Sequence, residues 1–204
     1  MKAKALVVAI LVSQGEKLAE DGKLQEAVAK FKEAKTLDPS LDFDPYVKAK
    51  ELAVPALVEK AVELMEQNKA EEAFLKYQEA RELDTQLEKA NTWYLNGFCW
   101  LGSLRGYAAE VMTACEMAVA RDPNHGAILD SRGVARALTG DYVGAISDFE
   151  ASIKRLKEMI QDTEDEDYRQ WLESIKTQRQ GWVDTLRKGE NPLTQEVLQE
   201  LWNQ

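Results

Sequence analysis

"EKLAEDGKLQEAVAKFKEAKTLDPSL" (residues 16–41) aligns without a gap to "VELMEQNKAEEAFLKYQEARELDTQL" (residues 62–87). The two segments share Leu18/Leu64, Ala27/Ala73, Ala34/Ala80, Leu37/Leu83 and Asp38/Asp84, and exchange Phe31 for Tyr77. In each, apolar residues recur three and four apart, a short turn falls at Gly22-Lys23 or Asn68-Lys69, and an Asp-containing turn closes the unit. The spacing is helical and the central break makes each unit a helix-turn-helix hairpin. A hairpin that recurs along one chain implies a repeat architecture, in which each unit covers its apolar face with its neighbours.

The unit resembles the tetratricopeptide repeat, a 34-residue helix-turn-helix family with small residues where its helices touch and a proline after the second helix. Counting that proline as position 32, the first repeat begins at Val8, with Leu11 at 4, Gly15 at 8, Leu18 at 11, Ala27 at 20, Phe31 at 24, Ala34 at 27 and Pro39 at 32. A second begins at Val54, with Leu57, Ala61, Leu64, Ala73, Tyr77 and Ala80 in those slots and Thr85 for the proline. A later one begins at Gly126, with Leu129, Gly133, Ala145, Phe149 and Ser152; here Arg136 replaces the usual aromatic and Lys157 stands in the proline slot. Small residues at 8 and 20 permit close helix approach, while large ones at 4, 11 and 24 fill the space around them.

The resemblance implies an all-α tetratricopeptide superhelix, an α-solenoid with C-terminal capping helices. Four hairpins are expected at about 8–41, 54–87, 90–125 and 126–160, with an inserted helical segment at 42–53 and a cap at 161–204. Pro45 opens a helix within the insertion, and Pro55 opens or kinks the next, which predicts an interruption there. In the third hairpin the spacing puts Trp93 at position 4, Gly97 at 8 and Trp100 at 11, and Gly102 and Gly106 in a turn two residues longer than usual. In the cap, Trp171, Leu172, Ile175, Trp182 and Leu186 form a stripe able to cover the last repeat. Gly189 stops that helix, and "NPLTQEVLQELW" starts another with Thr194 as N-cap and Leu193 facing Leu198.

Composition narrows the function. Twenty-six Lys and Arg stand against 36 Asp and Glu, a formal charge of −10 that repels phosphate backbones and argues against nucleic acid. Two cysteines, Cys99 and Cys115, are too few for a disulfide framework; they read as buried thiols in a reducing, cytoplasmic compartment. The run "ALVVAILV" after Lys2 and Lys4 imitates a signal peptide but lacks a small-residue cleavage site and continues into an amphipathic helix. At eight residues it falls well short of the ~20 needed to span a bilayer, so no membrane is expected.

Catalysis finds no constellation. The single histidine, His125, sits in the turn "DPNHG", and no nucleophile-base pair accompanies it. Asp162, Glu164, Glu166, Tyr168, Gln170 and Glu173 have EF-hand spacing, but Asp167 occupies the slot that requires glycine, so a solvated acidic turn is the reading and no metal is expected. Arg132 and Asp148, at positions 7 and 23, read as an ion pair between the helices of one hairpin. No cofactor is implied.

The family's binding surface is its concave side, lined by first-helix positions 2, 5, 9, 12 and 13. The Lys, Arg and Asn that clamp a peptide carboxylate in some members are absent. Val58, Val62 and Met65 of the second repeat, Tyr94, Phe98 and Leu101 of the third, and Asp130 and Val134 of the fourth form an apolar groove with an acidic end. Such a groove suits a protein or peptide partner presenting a helix or extended segment, including this chain's own helix at 195–203 with Val197, Leu198, Leu201 and Trp202 on one face. "CWLGSLRGYAAEVMTACE" through "GENPLT" is also similar to repeat modules of larger bacterial multidomain proteins, which implies an assembly or signalling role. The alternative is self-association into a homo-oligomer through the apolar first helix, Ala5 to Val12.

Overall fold

The computed structural model describes residues 2–203. Among them every regular element is an α-helix: α1 Lys2–Glu20, α2 Leu24–Leu37, α3 Pro45–Glu66, α4 Ala70–Leu83, α5 Thr92–Leu104, α6 Ala108–Arg121, α7 Gly126–Leu138, α8 Tyr142–Asp162, α9 Glu166–Leu186 and α10 Gln195–Trp202. The chain divides into two compact units, Met1–Asn91 and Thr92–Gln204.

Four turns have one geometry. Gly22, Asn68, Gly106 and Gly140 each take a positive φ, of 75°, 62°, 89° and 86°. The next backbone N–H in each case, that of Lys23, Lys69, Tyr107 or Asp141, donates to the carbonyl five residues back, on Leu18, Leu64, Gly102 or Arg136, at 2.8, 2.9, 2.9 and 2.9 Å. This left-handed cap satisfies carbonyls that a helix end would otherwise leave open. It also sets the register. Gly106 and Gly140 are both position 15, so the third repeat begins at Thr92 and has the ordinary length. Gly102 is not a turn residue but lies within α5, and Trp93, Tyr94, Gly97, Phe98 and Leu101 shift to positions 2, 3, 6, 7 and 10.

The corrected register shows what holds each hairpin together. Positions 8 and 24, sixteen residues apart, are Gly15/Phe31, Ala61/Tyr77, Cys99/Cys115 and Gly133/Phe149. A β-carbon on Gly15 would stand 2.6 Å from the Phe31 ring, and one on Gly133 2.8 Å from Phe149, so glycine is required for the rings to lie flat on the first helix. In the third hairpin this contact is a disulfide, Cys99–Cys115, with a Cα–Cα distance of 5.0 Å. The expectation of separate buried thiols is therefore corrected, and with it goes the ground for inferring a reducing compartment. The same hairpin exchanges small for large at its second contact: Gly102 and Val111 occupy positions 11 and 20, where the first two hairpins carry Leu and Ala, and a β-carbon on Gly102 would meet Val111 Cγ1 at 2.3 Å.

In the first unit, Ala19, Ala27, Val28, Phe31 and Ala49 form a core, with Phe43 edge-on to Phe31 at 5.5 Å. Lys48 reaches over both rings and pairs with Glu16 at 3.0 Å. Asp44 caps α3 by accepting from the Tyr46 and Val47 N–H groups at 2.9 and 3.0 Å, with Pro45 opening the helix. Pro55, expected to open or kink a helix here, does not open one: it lies inside α3, which continues through it to Glu66. Nine apolar residues buried along α3 outweigh the one backbone bond that proline removes.

In the second unit the core is built from Leu104, Val134, Ala137, Ala145, Phe149, Ile153, Trp182, Val183 and Leu186, and the rings of Phe149 and Trp182 meet edge to face at 5.4 Å. Asp148, 3% exposed, accepts from Arg132 Nε at 2.8 Å, Arg132 Nη2 at 2.7 Å and Arg136 Nη1 at 2.9 Å. Glu116 on α6 closes the network against both arginines. Hydrogen bonding to Asp148 raises the Arg132 guanidinium further above its ordinary value, burial acting against it.

Candidate functional site

Two surfaces of the second unit stand out. The first is the face of α5 and α7 on which α10 lies. Thr194 caps α10, its hydroxyl accepting from Val197 N–H at 3.4 Å, and Asn191 anchors the preceding strap by donating to the Ala137 carbonyl at 3.1 Å. From there Leu193 and Leu201 enter the core beside Leu104, Val134 and Trp182, with Val197, Leu198 and Trp202 packed around them. The Arg105 guanidinium sits 3.6 Å over the Trp202 ring. Trp100 and Leu104, positions 9 and 13 in the corrected register, are two of the five α5 positions that the resemblance assigns to a groove, and both belong to this cluster.

The residues that the sequence selects for a groove are distributed differently. Val58 and Met65 are fully buried in the first unit and Val62 is nearly so. Phe98 and Val134 are fully buried in the second, and Tyr94 and Leu101 are half-buried. Asp130 is held by Arg179 of α9 through a two-pronged pair, with Nη2 to Oδ2 at 2.7 Å and Nε to Oδ1 at 2.9 Å. Arg179 is itself buried and lies 4.3 Å over Trp182. The acidic end of the groove is thus consumed in fixing the cap to α7.

The second surface is a cleft of about 540 Å³ at the α7–α8–α9 junction. Its origin is length. The second helices of the first three repeats run 14 residues, whereas α8 runs 21. Lys157 in the proline slot is helical within α8, whereas α4 ends at Leu83 although its own slot holds Thr85, and α8 and α9 overhang the N-terminus of α7. Leu156 and Met159 on α8 then face Tyr168, Trp171 and Ile175 on α9 across a notch floored by His125 and Gly126. Trp171 stacks on Tyr168 at 5.5 Å and is 55% exposed, so it does not cover the last repeat as its place in the stripe suggests; Leu172, Trp182 and Leu186 do. Arg155 braces the rim, Nε donating to the Asn124 carbonyl at 2.8 Å and Nη1 to Glu158 at 2.5 Å. His125 meets Trp93 edge to face at 4.8 Å.

The acidic segment beyond α8 has no calcium-loop geometry. Asp165 caps α9 by accepting from Tyr168 N–H at 3.0 Å, and Tyr168, Gln170 and Glu173 are helical. No described helix is long and apolar enough to cross a membrane.

No protein-family model and no curated protein matches this chain. Among solved structures it is similar to the crystal structure of the P58(IPK) TPR domain, at 18% identity and a TM-score of 0.45, over 89% of this chain and 47% of that one. The chain thus spans about half the length of that structure. The repeat rests on this chain's own geometry: one cap, one contact pair and one register in four hairpins. The fold is a tandem of tetratricopeptide-like hairpins. The cleft was hidden in the sequence, because a non-proline residue at position 32 also occurs in the second repeat, where α4 keeps the ordinary length.

Proposed function

We propose that the chain is a non-enzymatic protein-interaction module whose second unit receives an amphipathic helix on the α5–α7 face, and that α10 is an intramolecular occupant of that face. The supporting observation is the burial of Leu201, 3% exposed, against this face from a helix of only eight residues at the far end of the chain. So short a helix is marginal by itself and takes its order from the groove it enters. Trp100, Leu104 and Arg105 are the receiving side chains, with Tyr94 and Leu101 at the margin. A partner helix would carry the same pattern, two or three large apolar anchors one turn apart, and would compete with a tethered segment whose effective concentration is of millimolar order. A place in a larger assembly, bacterial modules included, fits this role.

The test is a chain ended after Gly189, its helix content checked by circular dichroism, titrated into a fluorescent peptide of residues 190–204. The truncated chain is expected to bind the peptide, the full chain to bind it at least tenfold more weakly, and a peptide with Leu201→Ala and Trp202→Ala to fail. A helical truncated chain that ignores the peptide sinks the reading.

Self-association through α1 is the second reading. Leu6, Val7 and Ile10 are 63%, 47% and 47% exposed on one helix. Sedimentation of the wild type against a chain with these three made polar separates the readings, and identical monomers in both would remove this one.

A further inference from the structure

The α8–α9 cleft and the first helix have matching chemistry. The cleft offers an apolar wall, Leu156, Met159 and Trp171, and two exposed acids in its lining, Asp122 and Asp162. Met159, Tyr168 and Trp171 are 42%, 40% and 55% exposed, a density of large exposed side chains unusual for a surface that touches only water. Residues 2–15 carry two lysines and no acid, in a chain where acids outnumber bases 36 to 26. On α1, Lys4 precedes Val7 by three residues and Ile10 follows it by three, which puts cation and apolar side chains on one face. The cleft volume, about 540 Å³, is in the range that takes a few anchoring side chains.

We propose that this cleft is the docking site for α1 of a second copy of the chain, with Leu6, Val7 and Ile10 against Trp171 and Met159 and Lys4 facing the acidic rim. The contact is heterologous: the face that gives and the face that receives are different, so two copies pair either reciprocally, each α1 in the other's cleft, or in a head-to-tail run. Screening of the lysine-acid attraction weakens the association as salt rises. The proposal rests on the self-association reading of α1 and names what α1 pairs with; it is independent of the α10 groove.

Sedimentation equilibrium of the full chain and three variants tests it. Leu6→Asp with Ile10→Asp removes the head, Tyr168→Ala with Trp171→Ala removes the receiving wall, and Lys4→Glu reverses the charge. All five positions are exposed, so unchanged circular dichroism and melting are the control for folding. The wild type is expected to exceed monomer mass as concentration rises. The head and wall variants should each stay monomeric, yet an equimolar mixture of them should form a dimer and nothing larger, because one intact head meets one intact cleft. Lys4→Glu should lose association at low salt. A wall variant that still associates while the head variant does not would leave the α1 reading standing and overturn this one. A wild type that stays monomeric overturns both. Binding of a labelled peptide of residues 1–15 to the wild type, but not to the wall variant, with the wild type itself monomeric, would assign the cleft to a basic, apolar segment of another protein and overturn the second-copy proposal.

Discussion

At the scale of single residues, the contact between positions 8 and 24 governs how near two helices can come. Gly133→Val is expected to cost about 1–3 kcal/mol, because the new side chain has to displace the Phe149 ring from a packed hairpin. Gly181, inside α9 with nothing within 4 Å of its β-position, is the matched contrast. Gly181→Ala is expected to gain about 0.5–1 kcal/mol by restricting the unfolded chain and favouring the helix. Urea denaturation of both variants reads the opposite signs, and equal effects would refute the packing account. Asp148→Ala should cost about 1–3 kcal/mol by the same measurement, since it removes the buried carboxylate and leaves Arg132 and Arg136 only the more exposed Glu116. The residue types at 8, 20 and 24 were legible in the sequence because size alone decides who fits. The Gly102–Val111 exchange was not, because a small residue next to a turn reads as part of the turn until the partner helix is seen.

Among the helices, order depends on caps and cross-links. The Val47 N–H above all, with that of Tyr46 and the charges of Lys35 and Lys32, holds the Asp44 carboxyl below the ordinary carboxylate range, against a burial effect of opposite sign. Asp38 is lowered too, chiefly by the Ser40 hydroxyl, and Glu196 chiefly by Thr194. A carboxyl whose folded pKa is depressed contributes stability that is fully present above its unfolded value, about 4, and is lost as pH falls through the folded one. The melting temperature should therefore fall below about pH 4, and less steeply in Asp44→Asn, whose amide oxygen still accepts the two N–H bonds at any pH. Equal slopes in the two proteins would disprove the cap's share. The Cys99–Cys115 bond closes a loop of sixteen residues, and its reduction is expected to cost about 3 kcal/mol by freeing the unfolded chain. A melt with and without reductant, repeated on Cys99→Ala with Cys115→Ala, measures it; the double variant should be insensitive to reductant. Pairing at i and i+16 is present in the sequence, yet only the register exposes it, and the register hung on which glycine turned the chain.

At the scale of the whole molecule, hairpin packing leaves two surfaces of the second unit to which the proposals assign binding, and the net charge of −10 would bias which partners approach them. Binding at the α8–α9 cleft should weaken with salt, whereas binding at the α10 face, built from Leu, Val and Trp, should hardly change. The sequence by itself determined the repeat, the turns of the first two hairpins and the existence of the cap, because helical periodicity and side-chain size are local and survive without knowledge of neighbours. It did not determine which apolar residues remain open. Phe98, Val134, Val58 and Met65 look like groove residues in a list of positions, and three-dimensional packing buries them. Trp171 looks like core in a helical stripe, and the overhang of α8 leaves it exposed. Exposure is a property of what else arrives at the same place, and only the tertiary structure supplies that.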